Sequence, residues 1–289
     1  MSVRKAELLL AAVIIARSTS LLFVKVGLGT ISPFNLIAAR FCLAFVILSV
    51  IFYKRLLHGN VRDIKCGAAL GGAFFVTISL EVIALRVIPS ATVSFLSNCA
   101  IVIVPLIEAV FLRRMPDRKC IVCAALSLMG VGCLTLKNGG AIGYGECLGM
   151  LEAVSYALAI ILTGKLSREG DAYVMGIFQV GFMGVFALIA SFIFETPRLP
   201  QGGTEWVIIL MLAIVCSCFG FTFQPVAQRC LPEDRAAQFC ALNPLTTSTL
   251  GVLFLGEKPG VPGIAGAALI LSGIVLQNVR IKLPENAHN

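Results

Sequence analysis

Charge is scarce in this chain. Of its 289 residues only 13% are charged and 58% are hydrophobic, and the mean hydropathy is +0.95. A soluble domain carries roughly a quarter charged residues, so a large water-facing globule is excluded. Histidine is nearly missing too: His58 and His288 are the whole set, which leaves a metal site almost without ligands. No Gly-rich stretch ends in Lys-Ser or Lys-Thr, which argues against ATP-driven pumping by this chain alone. No connecting segment is long enough to hold a soluble domain. No cofactor is expected. The 11 cysteines do not read as a disulfide scaffold. Most lie inside apolar runs, as Cys42, Cys99, Cys133, Cys216, Cys218 and Cys240 do, where a free thiol acts as a small hydrophobe. Cys120 and Cys123 are read as packing residues as well.

What is present is a series of apolar runs, each near the roughly 20 residues that a helix needs to cross hydrocarbon. They fall near 6–27, 33–53, 66–86, 91–112, 120–137, 145–165, 172–194, 205–228, 235–255 and 261–280, separated by Gly- and Pro-bearing breaks. The first run shows no convincing cleavage site and reads as a retained span. The net charge of +8 is spread between these runs, which suits anionic lipid better than nucleic acid. Most basic residues, among them Arg4, Lys5, Lys54, Arg55, Arg62, Lys65, Arg113, Arg114, Lys165 and Arg168, fall on one set of ends. Few, such as Arg86, Lys137, Arg198 and Lys258, fall on the other. The bias predicts both termini in the cytoplasm of a multi-pass cell-membrane protein.

The two halves also repeat each other. Residues 84–137 align without a gap on 227–280, matching Arg86 to Arg229, Pro89 to Pro232, Phe111-Leu112 to Phe254-Leu255, Pro116 to Pro259 and Gly130 to Gly273. Five spans per half is an odd number, so the second copy enters the bilayer inverted. The expected fold is an all-α membrane protein of ten transmembrane helices in two inverted five-helix repeats, 1–138 and 139–289. Matched inverted halves are the signature of secondary transporters, whose substrate binds where the repeats meet. Gly67 and Gly71 have the spacing that lets helix backbones approach closely. Packing inside a monomer is favoured over a dimer interface.

Several motifs resemble the EamA branch of the drug/metabolite transporter superfamily. Lys25, Ser32-Pro33 and Ala39-Arg40-Phe41 look like its first two spans. Gln224, Ala227-Gln228-Arg229, Pro232, Arg235-Ala236-Ala237, Leu242-Asn243-Pro244 and the run from Leu253 to Glu257 look like its eighth and ninth. Gly266-Ala267-Ala268-Leu269-Ile270 and Gly273 resemble the tenth. The resemblance implies helices one to four and six to nine around a central cavity, helices five and ten outside, and export of amino acids or related metabolites. Two positions depart from the pattern. Arg17-Ser18 stands where the family often has Trp-Gly, and Asn243 where it often has Glu. Both changes move the cavity toward positive charge and against cationic substrates.

Ionised groups inside the spans need partners, since burying one in hydrocarbon costs about 2.5–3.5 kcal/mol. Arg17 lies roughly 15 Å from either end of its span, too deep to snorkel. It is expected to anchor a carboxylate or phosphate, with Glu152 as its resting partner or as a proton carrier. Ser20, Asn98, Tyr156, Gln224 and Asn243 complete the predicted substrate site. Arg40 and Glu81 are expected to pair, as a scaffold or an outer gate, and Glu108 sits near a hydrated end as a third gating or coupling candidate. Lys25 is expected to snorkel at the outer mouth, and most intramembrane Ser and Thr to bond their own helix carbonyls. Pro105 and Pro244 are expected to break spans four and nine. The partners implied are a small-molecule substrate, membrane lipid and protons as coupling ion, with no nucleic acid. The function expected is secondary export of a small anionic or zwitterionic metabolite, an amino acid foremost. A lipid flippase or scramblase on the same fold is the alternative. An intramembrane enzyme ranks lower, because no histidine lies in a span.

Overall fold

The computed structural model describes residues 3–111, 143–231, 242–256 and 260–278, with a few single positions between these stretches. Among the described residues every regular element is a helix, and seven helices are long and apolar enough to cross a membrane. The expected fifth span and the start of the expected ninth lie largely outside the described residues.

The chain runs through α1 (Val3–Gly27), α2 (Pro33–Ile51), the short α3 (Tyr53–Leu57), α4 (Val61–Val87), α5 (Ser90–Ser97) and α6 (Ala100–Phe111). It continues with α7 (Tyr144–Leu166), α8 (Ala172–Phe194), α9 (Gly202–Met211), a π-helical segment (Leu212–Phe219), α10 (Gly220–Gln228), α11 (Leu242–Leu255) and α12 (Val261–Asn278). The helices start and stop where the breakers stand. Pro33 opens α2, and Asn60 with Asp63 forms a capping box on α4.

Packing runs across the halves. α8 lies along α2, α4 and α10; α4 also lies along α7; α1 packs on α11, α10 and the π segment; and α7 packs on α5 and α6. Gly67 and Gly71 make the α4–α8 approach possible. A Cβ at Gly67 would sit 2.6 Å from the Phe178 Cβ, and one at Gly71 would sit 2.7 Å from the Phe182 Cβ. This small-residue face is therefore used inside one chain.

One break differs from expectation. Span four is interrupted between Ser97 and Ala100, while Pro105 sits inside the continuing helix α6. The break belongs to Asn98, whose Nδ2 bonds the Ser94 carbonyl at 2.8 Å, and to Cys99, whose N–H turns back to Leu96. The Ser94 carbonyl also keeps the Asn98 N–H at 3.2 Å, and the ladder tightens to an i→i−3 bond at Cys99. Pro244 lies in α11, and the expected break there falls on residues outside the described ones. The π segment in span eight had no sequence signal. Some intramembrane hydroxyls bond their own helix, Ser18 to Ile14, Thr77 to Ala73, Ser97 to Val93 and Thr163 to Ala159, but others bond across helices, as Ser20 and Ser217 do with Arg40, and Ser49, Ser79, Ser94 and Thr222 are buried without a partner.

Both ends of α8 are tied down by polar contacts. At its start Asp171 accepts from the N–H groups of Tyr173 and Val174 and from Arg55 at 2.8 Å, while Arg62 pairs with Glu169. Burial would raise the Asp171 carboxyl. The hydrogen bond from Arg55, with those backbone N–H groups, outweighs burial and holds the group below its ordinary 3.8. At the far end Glu195 accepts from the Phe34 and Asn35 N–H groups at 3.0 and 2.9 Å, capping α2. Arg198 grips Glu205 through two nitrogens, both at 3.1 Å, and also donates to the Thr30 carbonyl. Lys25 donates to the Ile88 carbonyl at 3.1 Å.

Candidate functional site

Helices α1, α2, α4, α5, α7, α10 and α11 each contribute a side chain to one cavity of about 20 Å³. That is room for about one water molecule. Its wall brings together Arg17, Ser20, Arg40, Glu81, Glu152, Tyr156 and Asn243 from the expected set. Gln224 stands directly behind, with its Oε1 accepting from Arg17 Nη1 at 2.6 Å.

Arg17 does not pair with Glu152. It donates to Gln224 and to the Tyr156 hydroxyl at 3.3 Å, and its guanidinium lies 4.2 Å from the Phe221 ring centroid, with Tyr156 at 5.3 Å and Phe74 at 5.5 Å. Those distances are within cation–π range. Phe221 meets Phe74 edge-on, with centroids 5.4 Å apart, so the aromatic box is itself packed. Gly220 admits the side chain: a Cβ there would lie 2.6 Å from Arg17 Cγ. Glu152 accepts instead from Ser97 Oγ at 2.6 Å.

Arg40 likewise does not bond Glu81. Its Nε donates to Ser217 in the π segment at 3.0 Å and its Nη1 to Ser20 at 3.2 Å. The side chain is 1% exposed and its Nη2 finds no partner. Glu81 lines the same cavity from α4. Asn98 is buried but outside the wall, with its amide turned onto its own helix and its Oδ1 unpartnered. Glu108 sits on α6, near the end of that helix and away from the cavity.

The sequence reading missed Ser97, Ser217, Phe74, Phe221 and Gly220. Serine, phenylalanine and glycine are ordinary in apolar helices, so composition gave these five no mark. The result is polarised. Hydrogen-bond donors from Arg17, Arg40 and Gln224 gather on α1, α2 and α10, and carboxylates stand on α4 and α7. The Nε2 of Gln224 and the Nη2 of Arg40 are both buried without a partner.

Comparison with known proteins agrees with this architecture. The profile of the EamA-like transporter family matches residues 4–136 and again 143–279. The chain belongs to that family. Three curated proteins of Archaeoglobus fulgidus, each described as an uncharacterized transporter, are similar to it. One is 26% identical over 298 residues, covering 96% of this chain and 98% of its own. A second is 23% identical over 277 residues, covering 96% and 86%. A third is 21% identical over 203 residues, covering 70% and 72%. One solved crystal structure shares the fold at a TM-score of 0.70 and 20% identity, covering 95% of this chain and 96% of that one. EamA-like membership and the seven apolar helices make this an integral membrane protein. The family and the names of its relatives indicate a transporter rather than an enzyme.

Proposed function

We propose that this chain is a secondary transporter that exports a small zwitterionic metabolite, an amino acid foremost, across the cell membrane by alternating access. The observation that carries the reading is the polarised cavity built from both halves. A solute carboxylate suits the donor side, where Arg17 and Arg40 stand in the cavity wall with Gln224 bonded behind Arg17. A solute ammonium suits the side held by Glu81 and Glu152. Two guanidiniums against two carboxylates give a balanced site, which favours a zwitterion over a plain anion.

The present cavity of about 20 Å³ is far smaller than the several hundred Å³ typical of ligand pockets, so binding requires the walls to part. Reciprocal packing supports ten helices in inverted repeats: span one lies on span nine through α1 and α11, and span six lies on span four through α7, α5 and α6. Cytoplasmic termini follow from the charge bias along the sequence.

The test is flux in liposomes containing the purified chain. Labelled alanine, leucine and serine should equilibrate faster than in empty vesicles and should exchange with unlabelled amino acid trapped inside. Movement of headgroup-labelled lipid without amino-acid flux would overturn the reading in favour of a flippase.

A further inference from the structure

Glu81 and Glu152 stand in the cavity wall on neighbouring helices, and neither guanidinium neutralises them directly. Arg17 donates to Gln224 and Tyr156, and Arg40 to Ser217 and Ser20, all of them uncharged acceptors. Glu152 is 1% exposed and holds a single short bond from Ser97. Two carboxylates in the wall of one cavity of this size repel each other when both are ionised, and one proton held between them relieves that repulsion. Arg17 from α1, Arg40 from α2, Ser97 from α5, Tyr156 from α7 and Asn243 from α11 stand in the same wall as the pair, and Cys99, in the break after α5, lies beside Glu152.

We propose that Glu81 and Glu152 form a shared proton site, and that this proton and the ammonium group of the solute compete for the same two carboxylates. The coupling rests on the transporter reading above; the proton site does not. With the cavity open to the cytoplasm, the solute ammonium displaces the proton, which leaves to the cytoplasm. With the cavity open to the outside, an incoming proton restores the acid and releases the solute. One proton enters for each solute exported, no bond other than O–H is made or broken, and the pair is never left with two uncompensated charges. Ser97 positions Glu152 in this scheme. Glu81 is then part of the binding site rather than a gate.

Two measurements test it. Infrared difference spectroscopy across pH, on the purified chain in lipid, should show a buried carboxylic-acid C=O band that titrates as one proton equivalent. The band should be missing from the Glu81→Gln/Glu152→Gln double variant. No such band in the unmodified protein, or a band unchanged in the double variant, overturns the proton site. In liposomes, a gradient of about one pH unit should raise accumulation of labelled alanine, leucine or serine up to about tenfold, and Glu152→Gln should reduce that ratio to one. Amino-acid flux indifferent to the gradient overturns the coupling while leaving the transporter reading intact. A titrating band in a protein that moves no amino acid supports the proton site and removes the solute class proposed above.

Discussion

Asn35 and Gln179 are both buried amides, and their surroundings are opposite. Asn35, near the start of α2, makes four side-chain hydrogen bonds. Its Nδ2 donates to Glu195 and the Thr196 carbonyl, and its Oδ1 accepts from Ser191 and the Arg198 N–H. Gln179, on α8, is 0% exposed, and neither atom of its amide has a partner. The contrast extends beyond these two. The ends of α8 carry Asp171, Arg55, Arg198 and Glu205 in multiple contacts, while Arg40 Nη2, Asn98 Oδ1, Thr222 Oγ1 and Gln224 Nε2 are buried without partners in the helical interior. A buried polar atom left unmatched costs about 1–3 kcal/mol, so the interior forgoes stability that the ends secure. Polar capacity held in reserve where two halves meet is what a site that binds and releases solute needs.

The sharpest way to break this comparison is at Arg17. Arg17→Ala removes the donor that faces both the cavity and the aromatic box. Truncating one member of a buried charged contact costs at least about 2 kcal/mol, or roughly thirtyfold. Amino-acid flux should fall by that factor or more. Arg17→Lys keeps the charge but loses the planar fork and its stacking, and flux should drop nearly as far. Full flux in either variant, with the protein eluting as a single folded species, would assign Arg17 to the scaffold.

The two amides supply the next test. Asn35→Leu strands the Ser191 hydroxyl, the Thr196 carbonyl and the Arg198 N–H, and should lower thermal stability in detergent by about 1–3 kcal/mol. Gln179→Leu removes two atoms that have no partners and should leave the melting temperature unchanged or higher. A melting temperature that falls equally in both variants would show that Gln179 is satisfied after all, and the distinction between ends and interior would fail.

Much of this was legible in the sequence because hydrocarbon is an exacting solvent. Apolar runs bounded by Pro and Gly set most helix limits within a few residues. Arg17, Arg40, Glu81 and Glu152 stood out because charge is costly there, and all four line one cavity. Their pairings were not legible. Arg17 reaches Gln224 because Gly220 lets its stem lie against α10, and Glu152 turns to Ser97 on α5; neither choice leaves a trace in linear spacing. Pro105 misled, since the span breaks at Asn98 and Cys99 and the helix continues through the proline. The π segment, which brings Ser217 to Arg40, depends on packing between α1 and α2 and has no compositional mark.

The helix seams test the same division through sterics. Gly67→Ala places a methyl 2.6 Å from the Phe178 Cβ and 3.0 Å from the Met175 carbonyl, and overpacking of this kind costs about 1–3 kcal/mol. Gly72→Ala would meet only Phe186, at 3.6 Å, which is ordinary contact, so the variant should melt at or above the unmodified protein. Equal destabilisation by the two would mean that helix propensity or lipid contact, rather than the α4–α8 approach, governs this face.

The smallest effect belongs to Asp171, and its sign follows from its titration. The folded carboxyl lies below its ordinary 3.8 because Arg55 and two backbone N–H groups favour the ionised form over the cost of burial. Its contribution is therefore complete above the unfolded value and is lost as pH falls through the folded one. Asp171→Asn retains a competent helix cap and removes the charge together with one of the two oxygens that accept from Arg55; Arg55 is 46% exposed, so solvent screening limits the loss to a few tenths of a kcal/mol at neutral pH. The stability gap between the unmodified protein and the variant should narrow below about pH 4 and close in stronger acid. A gap that persists there would show that the end contact acts through shape rather than charge.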